Sequence, residues 1–220
     1  MQTFPFVFMG VALALVAGIV IWQIRADRQR TELLRTVAQT MGFSYEETFD
    51  ADALTQLAGA MPVMNRGHSR KIQRMMRGKL ADRDAAIFDY RFTTGGGKSS
   101  HTHLQTVVLF PDPVTGLPDF ELSPENFLHR VAEAFGYQDL DFPENEEFSK
   151  LYLLRGPDEP AIRKLFRSDV LAFLGGAPRW HVQTHGGRLA IFREGKFTQP
   201  ADMPSYAAEA LRIAGLLGRS

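Results

Sequence analysis

The chain opens with MQTFPFVFMGVALALVAGIVIWQI, residues 1–24, a run with no charged side chain that stops at Arg25. About 20 consecutive apolar residues cross a bilayer core as a helix, and residues 4–24 supply that length. A secretory signal would begin with basic residues and close on a small-residue cleavage site. Here no Lys or Arg precedes the run, and Ala12-Leu13-Ala14 sits in its middle. The stretch therefore predicts a retained transmembrane anchor, with Trp22 at the interface. Arg25, Arg28, Arg30 and Arg35 all follow it. Basic residues stay on the cytoplasmic side, which predicts a single-pass inner-membrane protein, N-terminus outside and body cytoplasmic.

Inside this run Gly10, Ala14 and Gly18 recur every four residues. Small residues at that spacing let two helices approach closely in lipid, so the triplet is a candidate homodimer face.

Beyond the anchor the chain reads as an ordinary globular body. It has 25 basic and 25 acidic side chains and no cysteine. Neutral overall charge excludes a nucleic-acid binder that works through bulk electrostatics. The predicted architecture is α+β: the transmembrane helix over 1–24, a helical stalk over 25–61, an antiparallel β-meander with a packed helix over 62–137, and a second α+β lobe over 138–220.

Periodicity supports these pieces. Leu33, Leu34, Val37, Ala38 and Met41 mark one face of the stalk helix, and a second helical segment covers residues 52–61. Residues 72–78, 85–92 and 102–110 read as strands. Ala86, Phe88, Tyr90 and Phe92 alternate onto one buried face, as do Leu104, Thr106, Val108 and Phe110. Residues 120–122 form a short fourth strand. Ser123 caps a helix that carries Phe127, Leu128, Val131 and Phe135 and stops at Gly136. In the second lobe, residues 151–155 read as a strand and 158–174 as helix re-started at Ser168. Residues 180–184 and 188–193 pair across His185-Gly186-Gly187, before a final helix over 201–217.

The segments Phe88-Asp89-Tyr90-Arg91-Phe92-Thr93-Thr94-Gly95, Gln105-Thr106-Val107-Val108-Leu109-Phe110 and Ser123-Pro124-Glu125-Asn126, behind an anchor, resemble a family of uncharacterised bacterial membrane-anchored proteins. The resemblance spans about residues 78–192. It implies a bacterial source and no particular chemistry, cofactor or site residue.

Candidate chemistry is sparse. Gly95-Gly96-Gly97-Lys98-Ser99 resembles the end of a phosphate-binding loop, but its first glycine falls on Phe92 and a strand follows where the motif needs a helix. His101 and His103 share one strand face, a candidate metal pair with Asp89 on the neighbouring strand as a third ligand, for a small metal-dependent enzyme. The competing expectation puts both on the solvent side of the sheet. The remaining feature is the basic cluster Arg66, Arg70, Lys71, Arg74, Arg77 and Lys79, free of acidic residues. It offers a docking surface for anionic lipid headgroups or an acidic protein partner, unless the acidic residues of 139–147 neutralise it within the fold. Together these features predict a membrane-anchored, non-enzymatic interaction or scaffold module that needs no cofactor, with lipid bilayer and protein as partners.

Overall fold

The computed structural model describes residues 4–47, 61–125, 139–176 and 179–218. Helix α1 (Phe4–Thr40) leads into strand β1 (Ser44–Glu46), and Gly42 turns the chain between them at φ +71°. A one-turn helix α2 (Pro62–Asn65) precedes the long strands β2 (His68–Leu80), β3 (Arg83–Thr94) and β4 (His101–Phe110). Strand β5 (Phe120–Pro124) follows a Pro-rich connection. Helix α3 (Glu146–Leu151) runs into β6 (Tyr152–Arg155), then come α4 (Glu159–Leu165) and α5 (Ser168–Gly176). Hairpin β7 (His181–His185) and β8 (Arg188–Glu194) precedes α6 (Met203–Leu217).

The described strands form a single eight-stranded sheet, ordered β1-β2-β3-β4-β8-β7-β5-β6, with every pairing antiparallel. The meander β2-β3-β4 is as predicted, but the second α+β lobe is not a separate unit. Strand β8 takes the free edge of β4, from Gln105 opposite Glu194 to Phe110 opposite Leu189. Strand β5 crosses to lie between β7 and β6. Hydrogen bonding along β4 thus fuses the two expected lobes.

Both faces of the sheet are buried. On one, Ile87, Val108, Leu122, Val182 and Ile191 pack against α5, α6 and the end of α1 through Leu174, Ala210 and Leu34. On the other, Phe88, Tyr90, Phe92, Val107, Leu109 and Phe192 pack with Met61, Val63 and Met64 at α2. An uninterrupted apolar run such as Val107-Val108-Leu109-Phe110 is what a strand needs when neither face meets water. Strand β2 carries two bulges in its pairing with β3, with Ser69 and Arg74 at φ 51° and 52°, and β1 covers only Met75–Arg77 on its other side.

The membrane assignment is corrected here. Among the described residues, no helix is long and apolar enough to cross a membrane. The expected transmembrane anchor over residues 1–24, and the single-pass inner-membrane placement that followed from it, are not supported by the described helix. What the structure shows instead is a helix docked at one end only. Thr31, Leu34 and Ala38 are buried, whereas Leu13, Val16, Ile19, Val20 and Trp22 are exposed.

The predicted helix over residues 52–61 lies outside the described residues apart from Met61, and the helix predicted from Ser123 does so beyond Glu125. Ser123 and Pro124 themselves close β5. The two helices expected around Ser168 are both present.

Candidate functional site

The basic cluster does not form one surface, because successive residues of a strand face opposite ways and the β2 bulges shift that alternation. Arg74 is buried beneath α1. Its Nε donates to Asp89 Oδ2 at 3.0 Å and its Nη1 to Asp27. Burial alone would lower its pKa, but the hydrogen bonds it donates to Asp27 and Asp89, with their negative charges, prevail and raise it. Arg66 lies under the opposite face, paired with Glu121, and burial lowers it to about 10 against the opposing charge of Glu194. Arg70 Nη1 donates to the Met64 carbonyl at 2.9 Å. Arg77 pairs with Glu46 at 3.7 Å, Lys79 with Asp84 at 3.3 Å, and Lys71 is exposed.

The first constellation joins α1 to the sheet. Asp89, 1 % exposed, accepts from Arg30 Nε and Nη2 at 2.9 Å each, from Arg74 Nε, and from Thr106 Oγ1 at 2.9 Å. The Phe197 ring lies 5.2 Å from the Arg30 guanidinium carbon and 5.6 Å from that of Arg74. Thr106 continues the network: its Oγ1 accepts from Thr198 N, and its carbonyl accepts from Tyr206 Oη on α6 at 2.6 Å. One buried carboxylate thus fixes α1, β2, β3, β4 and the approach to α6. Two guanidiniums and a hydroxyl around a single carboxylate satisfy most of its lone pairs, which is the condition for burying a charge.

The second constellation lies on the other face. His103 Nδ1 pairs with Glu194, and its Nε2 is 2.8 Å from Thr94 Oγ1. His181 Nε2 lies 4.0 Å from the second Glu194 oxygen. Each imidazole lies flat on a phenylalanine, His103 on Phe92 at 4.6 Å and His181 on Phe192 at 4.8 Å. Burial, aided by the Arg66 charge, pushes His181 down to about 3, so it is neutral at ordinary pH. Nearby, Gln183 accepts from Val63 N at 2.7 Å and donates to Glu121 at 2.9 Å, tying α2 to β7 and β5.

This geometry limits the chemistry. The sequence expectation that both histidines share an open face gives way to a split: His101 is exposed and His103 buried. Both ring nitrogens of His103 already have hydrogen-bond partners, so ligating a metal would mean giving one up. Asp89, the candidate third ligand, belongs to the opposite face, since it stands opposite Thr106 while His103 stands opposite Phe92. Among the described residues no three metal-ligating side chains converge. A general base must reach its substrate within hydrogen-bonding distance. Here the side chains of His103 and His181 are 0 % and 3 % exposed.

Of the candidate dimer face, Ala14 and Gly18 are exposed on α1, and a Cβ at Gly18 would touch nothing. Gly10 is described only as part of that helix.

No protein-family model matches the chain, and no curated protein matches it. Among solved structures it is similar to the mycobacterial trehalose monomycolate transport factor A, TtfA, with a TM-score of 0.54 at 14% identity. The likeness covers 87% of this chain and 93% of that one, and it establishes a shared fold.

Proposed function

We propose that this protein is a non-enzymatic accessory factor of a transport process, a body that binds other components rather than transforming a substrate. The observation that carries the reading is the near-complete coverage of a transport factor by the same fold. The buried state of His103, Glu194 and His181 supports it, because side chains committed to holding a fold together do not reach a substrate. A helix held rigidly at one end and exposed along the other suits a module that positions one component against another.

The test is complementation. Cells lacking the protein are given His101→Ala, His103→Gln or Glu194→Gln variants whose thermal unfolding remains cooperative. The accessory reading predicts restored transport by each folded variant. A folded variant with full protein levels and no restored function would favour the enzyme.

A further inference from the structure

Helix α1 crosses the sheet in a fixed direction. Phe43, just past its end, packs on Gly78, which stands opposite Ala85, whereas Arg30 bonds to Asp89. Followed toward its N-terminus, the helix therefore leaves the sheet past the Arg91 end of β3. At that end, on the face of Asp89, Arg91 stands opposite Lys71 in the β2–β3 register. Directly opposed residues of an antiparallel pair point to the same side, and like charges there repel. Both are exposed, and among the described residues neither has an ion pair or a side-chain hydrogen bond. Arg25 and Arg28 on α1 are exposed as well, next to the exposed apolar side chains of Ile19, Val20 and Trp22. The carboxylates nearby are already committed: Asp89 is buried under two guanidiniums, and Asp27 pairs with Arg74.

We propose that this end of the molecule docks on an anionic lipid surface. Phosphate headgroups supply the countercharge that Lys71 and Arg91 lack within the fold, and each Lys or Arg brought to such a surface strengthens binding about 5-fold. An acidic protein segment would answer the charges alone. A headgroup layer also receives the exposed apolar side chains of α1 at its acyl boundary, and binding grows with both contributions. The contact is with the surface of the bilayer and involves no crossing of it. It is independent of the transport reading: either stands if the other fails.

The experiment is co-sedimentation of the intact purified protein with vesicles of phosphatidylcholine alone and of phosphatidylcholine mixed with phosphatidylglycerol, with poly-glutamate as a soluble polyanion. The anionic vesicles should bind at least ~10-fold more tightly than the neutral ones, and the difference should shrink as salt is raised. Replacing both residues, Lys71→Gln with Arg91→Gln, should weaken anionic-vesicle binding roughly 30-fold. Neutral-vesicle binding and the unfolding midpoint should stay near the parent values, because both side chains are exposed. Lys164→Gln with Arg179→Gln removes the same charge from exposed positions on α4 and ahead of β7, and should change binding less than ~3-fold. Equal binding to both vesicles, absence of binding, or a control pair as damaging as the Lys71 and Arg91 pair would each overturn the proposal. Binding to poly-glutamate in place of vesicles, lost with Lys71 and Arg91, would overturn it in favour of an acidic polypeptide. If the double variant does not fold, the two vesicle compositions compared across salt on the unmodified chain decide.

Discussion

Replacing Asp89 by Asn removes the charge that two guanidiniums share while keeping the size of the side chain. Asp89 is 1 % exposed and Arg74 4 % exposed, with Arg30 at 15 %, so solvent does little to compensate. One amide oxygen can still accept, but the amide nitrogen would now point donors at a donor. Breaking a buried ion pair by removing one partner costs about 3–5 kcal/mol, because the remaining charge stays buried. For a chain of this size each kcal/mol corresponds to about 2–4 °C in the unfolding midpoint, so a drop of roughly 6–20 °C is expected. Urea unfolding followed by circular dichroism measures the cost, and hydrogen exchange locates it. Amides around Leu34 and Ala38 should lose protection before the sheet does, since the network holds α1 against β3. In a double-mutant cycle, Arg30→Gln should cost much less in the Asp89→Asn background, with a coupling of about 1 kcal/mol or more. A loss below about 1 kcal/mol, or exchange spread evenly over the sheet, would refute the claim that Asp89 pins the helix.

Further predictions test other parts of the molecule. Gly67→Ala should destabilise by about 2 kcal/mol or more, because at φ +60° the new Cβ would sit 2.2 Å from the Thr93 carbonyl oxygen. Gly97→Ala, at φ +57° with nothing within 4 Å, should cost only the left-handed strain of about 1–2 kcal/mol, and a urea series comparing the two separates clash from strain. His181, held down to about 3 by burial against its ordinary 6.5, gives a stability that is complete above pH 6.5 and lost as pH falls toward 3. The unfolded chain takes up the proton and the folded one does not, so the slope approaches about 1.4 kcal/mol per pH unit. His181→Gln should flatten that part of the profile, and an unchanged slope would remove His181 as its source. Lys79→Ala should change stability by under about 0.5 kcal/mol, because the pair with Asp84 is exposed on both sides.

The sequence revealed the strands of the meander because Ala86, Phe88, Tyr90 and Phe92 alternate cleanly, and the β7–β8 hairpin because Gly186 and Gly187 supply consecutive positive φ values. It did not reveal the joining of the two halves, since a local pattern carries no record of which edge β8 will pair with. The tandem apolar residues of β4 were the available sign that both faces are covered. That same sign would have placed His103 inside, stacked on Phe92. Asp89 stood out as the lone charge between Phe88 and Tyr90, yet its partners Arg30 and Arg74 lie 59 and 15 residues away, beyond any spacing rule. A regular strand in sequence order makes the basic run look like a single patch. Two bulges and a positive φ at Arg74 send its members to different faces. The membrane anchor rests in sequence on an uncharged run and its flanking residues, whereas among the described residues no helix is long and apolar enough to cross a membrane.

The most direct test of the accessory role is photocrosslinking in living cells from the exposed positions Val16 and Val20 of α1, with an exposed body position such as Lys71 as the comparison. The account predicts a discrete heteromeric adduct with a component of a transport system, formed at the helix positions and lost when that component is deleted. Absence of any heteromeric adduct at all three positions, together with catalytic turnover by the purified chain that disappears in Glu194→Gln, would contradict it.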